Sequence, residues 1–404
     1  MTKSALMYCS RSEMDSSQQQ RSAELARKIS ETFDVTLLLD GVSKDELEGV
    51  DGVECVCMPA LEYEADSSDF EIAQSDKLRD QLIERRDVML REFERLKPRA
   101  LVIEMFPFKQ YRLRGEVLPL VERARNGVFG ECLVVSLTDG IIIDDVNEEE
   151  AYADHAASLL DKYFDMVIVN SDPVFARLEE FFQPRNTLNT PLYHTGFVTP
   201  GTFIPQNSVN GGAERILVSA GDGRYGGSLF RAAIEAHQLL WATLPLPMKI
   251  VGGELLPEDE WQDLMSSAEN SPDLTLRRTV PDLRSEIANS RWSLSQCDYN
   301  TAVNAISTQT PSLFVPCADA QRCEQLVRAQ RLVYWGAGRL LMPHHLNAAS
   351  LANEIHQLTK FEPRSNQFDL DGASNAARLI SQVVYENNYA PVPARPSTDF
   401  LRPH

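Results

Sequence analysis

Residues able to hold a phosphate gather at three places in the chain. Gln296-Cys297-Asp298-Tyr299-Asn300-Thr301 follows 292–295, a short run that reads as a strand, so polar side chains stand at a strand's carboxyl end. Glu324-Gln325 follows a second short apolar run, 311–316 (PSLFVP), too brief for a helix and bounded by prolines. Earlier, 220–227 reads AGDGRYGG between a strand (216–219) and a helix (228–240). There Gly221, Gly223, Gly226 and Gly227 permit φ > 0 and let the backbone approach a ligand closely. A helix N-terminus beside such a loop suits a nucleotide phosphate, because free N–H groups and the helix dipole both favour negative charge. Backbone N–H groups can hold a nucleotide diphosphate without a basic surface. A glycine-rich loop alone is a weak signal, and the later segment strengthens it.

The elements that would position these residues alternate between strand and helix. Over 291–329 the pattern is strand, polar turn (296–300), helix (302–308), strand and second helix, a parallel βαβ unit whose ligands sit outside the strands' carboxyl ends. The chain opens the same way, with a strand at 4–8, a helix at 18–33 striped by Leu25, Ile29 and Phe33, and a strand at 35–39. The charge-rich stretch 66–96 reads as one long surface helix or two. Strands follow at 100–104, 133–137, 164–170, 248–253 and 274–280, with helices at 347–358 and 372–385. The tail 389–404, with four prolines, reads as extended. At 404 residues the chain exceeds one hydrophobic core, so two domains of about 200 residues are expected.

The run SQCDYNTA, TPSLFVP and EQLVRA resembles the donor-binding segment of inverting GT-B glycosyltransferases. It is most similar to a bacterial branch related to the peptidoglycan N-acetylglucosaminyltransferase, a MurG-like resemblance. VIEMFPFKQYRLRGEVLPLVERAR is a further close match. The resemblance implies an α/β, GT-B fold of two Rossmann-like doubly wound domains facing a cleft. An acceptor domain would span 1–200 and a nucleotide-sugar donor domain 201–371. A helix at 372–388 would cross back to the first domain, ahead of the tail. It implies a donor, of UDP type, an acceptor that the sequence does not name, and no cofactor or metal. Glu324 and Gln325 match contacts to the transferred sugar, Asn304 stands where relatives grip the ribose, and backbone around Val280 would meet the base. Gln296, Tyr299, Asn300 and Thr301 complete the donor set.

Three carboxylates are candidates for taking the acceptor proton. Asp15 falls on the turn where the family carries a histidine, whose place Gln18 takes; Asp-Ser-Ser before a helix also reads as an N-cap. Glu104 stands at a strand's carboxyl end, with an ion pair to Arg112 or Arg114 as the structural alternative. Asp139 keeps the acid of the family's Arg-Asp pair, and the arginine is replaced by Thr138. Further departures are Asp298 for glycine, Gln309 for glycine and Asn304 for an acid. They leave two alternatives beside an active transferase: a degenerate glycosyltransferase-like partner or scaffold subunit, and a GT-B sugar-nucleotide epimerase. A related glycosyltransferase or a second copy would then be the partner.

Composition narrows the classes. A net charge of −20 disfavours nucleic acid, whose affinity rests on neutralised phosphates. No apolar run is long enough to span a bilayer, and the first residues break off too soon for a signal-peptide core, which places the expected location in the cytoplasm. Seven cysteines without a CxxC pair speak against a disulfide framework or zinc site. Cys297 falls among the donor residues, where a reactive thiol is one reading and a small buried hydrophobe the other.

Overall fold

The computed structural model describes residues 3–10, 16–40, 50, 52–61, 76–108, 113–143, 149–199, 213–269, 271–317, 323–365 and 368–386. Asp15, the expected boundary at 200–201 and the tail 389–404 lie outside them. The chain divides into two compact units, Met1–Gly201 with Phe368–His404, and Thr202–Gln367.

The first unit is built on β1 (Ser4–Cys9), α1 (Ser16–Ile29), β2 (Phe33–Asp40), β3 (Glu54–Met58), α2 (Asp76–Leu96), β4 (Ala100–Glu104) and α3 (Arg114–Arg125). It continues with β5 (Leu133–Asp139), α4 (Glu149–Tyr163), β6 (Met166–Asn170) and β7 (Leu192–His194). Its sheet runs in the order β3-β2-β1-β4-β5-β6-β7, and every pairing is parallel. Helices cover both faces, so a strand such as ALVIE (Ala100–Glu104) is buried along its whole length. One face packs Met7, Leu101, Ile103 and Val134 with α2, α3 and α4; the other packs Leu6, Leu37, Val102 and Val135 with α1 and the C-terminal helix.

The second unit contains β8 (Ala213–Ser219), α5 (Gly227–Leu240), β9 (Met248–Val251), α6 (Glu258–Ala268), β10 (Leu274–Arg277), α7 (Leu283–Ala288) and β11 (Ser290–Ser295). It ends with α8 (Tyr299–Thr308), β12 (Ser312–Phe314), α9 (Cys323–Tyr334), β13 (Arg339–Leu340) and α10 (Ala348–Leu358). Its parallel sheet runs β10-β9-β8-β11-β12-β13. Both sheets thus have the doubly wound order, reversing direction between β1 and β4 in one and between β8 and β11 in the other.

The chain returns to the first unit through α11 (Gly372–Ser381) and a wide turn at Gln382–Glu386. Phe368 packs edge-on against Phe175 and Phe197, and Asp172 Oδ2 accepts from the backbone N–H of Asp369 at 2.8 Å. Tyr385 stacks on Phe33 and its hydroxyl accepts from Ser4 N at 3.0 Å.

Two expectations change. Phe33 does not extend α1, which ends at Ile29; it opens β2 beside Ser4 and reaches the same buried layer from across a turn. Tyr299, Asn300 and Thr301 belong to α8 rather than to a preceding turn, because Asp298 caps the helix three residues earlier than the apolar pattern indicates. The edge strand β3 and the helices α3, α4, α6 and α7 add to the expected set.

Gln309, the residue after α8, holds φ +55°, a left-handed conformation natural to glycine. Gln309→Gly is expected to raise the unfolding free energy by about 0.5–1 kcal/mol, seen as a higher urea midpoint at unchanged slope. An unchanged or lower midpoint would show that this conformation carries no strain.

Candidate functional site

In a doubly wound sheet the connections leave opposite faces where the strand order reverses, and a crevice opens at the carboxyl ends of the two strands on either side. In the second unit those strands are β8 and β11, with Ser219 and Ser295 as register partners at their ends. The glycine loop leaves the first and Gln296-Cys297-Asp298 leaves the second.

The glycine loop is braced by neighbouring backbone. Gly223 N donates to Ala220 O, and Gly226 N to Gly223 O, each at 2.9 Å. Gly223 has φ +91°, and a Cβ built there would lie 2.0 Å from Gly252 O, so the loop rests directly on the exit of β9. Side chains at Gly226 and Gly227 would strike Phe230 and Glu260. Close packing therefore accounts for Gly223, Gly226 and Gly227. Arg224, at the loop's tip, is half-buried, and its guanidinium has no partner among the described residues.

The second turn is clamped from three directions. Gln296 Nε2 donates to Tyr225 O at 2.8 Å, tying it to the glycine loop. Gln325 Oε1 accepts from Cys297 N at 3.3 Å and from Cys317 N at 2.9 Å, while Arg328 Nη1 donates to Cys297 O at 2.9 Å. Gln325 is 1% exposed and its oxygen is occupied, so it braces the turn rather than reaching a sugar with that atom. Cys297 is fully buried; burial pushes its thiol well above the ordinary range, which makes it an inert packing residue. Asp298 Oδ1 accepts from Thr301 N and Oδ2 from Thr301 Oγ1, both at 2.8 Å.

The other donor candidates divide by exposure. Glu324, half-buried in the first turn of α9, has no ion-pair or hydrogen-bond partner among the described residues. Asn300 and Asn304 are both buried on α8, and Asn300 Oδ1 has no hydrogen-bond partner among the described residues. Val280 is half-buried beside Leu217, Val251 and Ile287.

In the first unit the reversal falls between β1 and β4, and an ion cluster fills its surroundings. Arg21, on α1, donates from Nη2 to Glu104 Oε1 at 3.1 Å and from Nη1 to Asp139 Oδ1 at 2.9 Å. Glu104 Oε2 accepts from Ser22 Oγ at 2.8 Å and from Tyr8 OH at 3.4 Å. Burial, and next the Glu104 carboxylate, push the Tyr8 hydroxyl well above its ordinary value, so it remains a donor. With both oxygens occupied and 2% exposure, Glu104 is poorly placed to take a proton. Asp139 keeps 10% of its side chain exposed, and Arg21 holds one of its oxygens. Arg21 and Arg328, the latter inside EQLVRA, were not among the expected site residues; an arginine on a helix reads as a surface charge until the fold brings its partners beside it. His194 is held by Glu179 at 3.1 Å.

The chain matches no known family profile. It is 25% identical over 167 residues to an uncharacterized glycosyltransferase of Methanopyrus kandleri, a match that takes in 41% of this chain and 44% of that protein. Among solved structures, a calicheamicin glycosyltransferase superposes with a TM-score of 0.58 at 18% identity, covering 95% of this chain and 98% of its own. MurG of Acinetobacter baumannii gives 0.57 at 13%, with 94% and 99% covered. A Medicago truncatula protein complexed with UDP-glucose gives 0.58 at 13%, with 95% and 98% covered. With the two doubly wound parallel sheets, these likenesses define the class of the fold: GT-B.

Two outcomes follow from the first unit's ion pairs, the buried Arg21 cluster and the more exposed Glu179–His194 pair. Arg21→Ala leaves two buried carboxylates without their shared cation and is expected to cost about 3–5 kcal/mol in chemical denaturation; a loss below about 1 kcal/mol would show that water solvates the cluster. Glu179 is held down to about 2 from 4.5, chiefly by the hydrogen bond from His194. A depressed carboxylate stabilises fully above its unfolded value, and that contribution disappears as pH falls from about 4.5 to 2. His194→Ala should therefore reduce the drop in urea midpoint between pH 5 and pH 3; an unaltered drop would discount the pair.

Proposed function

We propose that this chain is a glycosyltransferase that moves a sugar from a nucleoside-diphosphate donor of UDP type to a hydroxyl acceptor, with inversion and without a metal. The observation that carries this reading is the pair of braced turns at the β8–β11 reversal, a glycine loop joined to the turn that opens α8 through Gln296 and Tyr225. Both are tied to neighbouring backbone without a ligand, the kind of preorganisation that electrostatic stabilisation of a leaving group uses. The GT-B fold, the match to the Methanopyrus kandleri protein and the UDP-glucose complex of the Medicago protein support the same reading.

Residue roles follow from what each side chain has left to offer. Gly221 and the loop backbone approach the diphosphate, Arg224 offers its cation to it, and Glu324 hydrogen-bonds sugar hydroxyls. The bond from the anomeric carbon to the phosphate oxygen breaks as the bond to the acceptor oxygen forms on the opposite face. Asp139 takes the acceptor proton on the oxygen that Arg21 does not hold. Glu104 and Arg21 are positioning residues that fix Asp139. Gln325 and Arg328 do the same for the Cys297 turn. A second reading, a non-catalytic partner subunit built on this fold, is favoured by Asp298, a carboxylate where a phosphate would be received.

Ligand binding and turnover separate these readings. UDP or a UDP-sugar at saturating concentration should raise the melting temperature, since a ligand held only by the folded state stabilises it. No shift with any nucleoside diphosphate would favour the partner reading. Once a donor and acceptor pair is found, Asp139→Asn should lower kcat about 100-fold or more while leaving the UDP-induced shift in place. Glu324→Ala should abolish turnover of the sugar without unfolding the chain, and full activity in either variant would remove that residue from its role.

A further inference from the structure

Asp298 stands where an incoming anion would be received. Its carboxylate takes the Thr301 N–H and hydroxyl in the first turn of α8, a ten-residue helix. A Cβ built on Gly221, which has φ +57°, would lie 2.8 Å from Asp298 Oδ2, so the carboxylate lies directly against the glycine loop. Three buried polar atoms close in sequence to this contact have no hydrogen-bond partner among the described residues. They are Ser219 Oγ and Ser295 Oγ, on register-paired residues at the ends of β8 and β11, and Asn300 Oδ1 in the same first turn. These residues are 1%, 0% and 8% exposed, and a bound group with its own donors and acceptors is what such atoms lack.

A carboxylate and a phosphate oxygen compete for the same N–H donors at a helix N-terminus. A phosphate arriving at α8 must either displace Asp298 from Thr301 or sit beside it and meet a like charge. We propose that Asp298 is the specificity-determining residue of the donor site: an internal anion that competes with the donor's terminal phosphate for the α8 N-terminus and holds nucleoside-diphosphate affinity down. This rests on the donor-site reading above. It predicts that removing the charge tightens a diphosphate more than a monophosphate, because only the former carries the second phosphate.

Asp298→Asn tests this, since asparagine caps a helix as well as aspartate does and the change removes charge while keeping the Thr301 bond available. Dissociation constants for UDP and UMP are measured by calorimetry on the full chain and on the variant. Asp298→Ser, another strong cap, repeats the test should the first variant fold poorly. The expected result is a tenfold or greater gain for UDP and a gain for UMP at least threefold smaller. Binding of UDP to the wild-type chain with an equal or weaker value in the variants, or an equal gain for both nucleotides, would overturn the role of Asp298 and leave the donor site standing. Binding of neither nucleotide to wild type or variants would overturn both, and binding to the variants alone would support both.

Discussion

A parallel sheet obliges the chain to carry each strand back over one face before the next can pair, and in each unit this crossover changes face once. That single reversal leaves β8 and β11 as neighbours whose outgoing segments diverge, so the space above their carboxyl ends is walled by turns rather than filled by a helix. The donor site proposed for this chain depends on how those turns are held. Gln296, Gln325 and Arg328 fix them through backbone atoms, which leaves loop geometry independent of the identity of neighbouring surface residues. The glycines serve the same end, because Gly223 and Gly253 allow two loop backbones to touch where any side chain would force them apart.

Much of this architecture was legible in the residues. The apolar runs at β4, β5, β6 and β12 announce buried parallel strands, since both faces of each are covered and no polar alternation interrupts them. The carboxylate at 104 was placed at a strand's end for the same reason, whereas β5 runs past the expected 137 to take in Asp139. Helix beginnings were harder to read: Asp298 starts α8 with a polar cap, and the first turn contributes Tyr299, Asn300 and Thr301 before any periodic apolar stripe is visible. The strand at Glu54–Met58 lies at a sheet edge, where half-burial blurs the pattern that marks the central strands. Phe33 satisfied helical spacing by coincidence, because strand and helix pack into one layer.

Side-chain roles were less legible than elements because they depend on partners distant in sequence. Arg21 meets Asp139 across 118 positions and Arg85 meets Glu116 across 31, and each arginine joins two carboxylates in a buried group. No local pattern distinguishes such arginines from those on a solvated helix face. In each group the guanidinium's planar fork orients two acids at once, which a lysine could not reproduce. Gln325 is the converse case: a sequence motif pointed to it as a ligand contact, and the fold uses its oxygen to join two loop backbones.

The first unit buries Ala373, Ala376, Leu379 and Ile380 in the same core as Leu6 and Leu37, so its hydrophobic layer is shared between the opening and closing segments of the chain. During synthesis the 166 residues of Thr202–Gln367 emerge in between. The later-made unit therefore has all of its own strands available before the earlier one can seal, and Phe33 stays without its stacking partner until Tyr385 has left the ribosome. The unit that begins first is thus the last whose segments are all made.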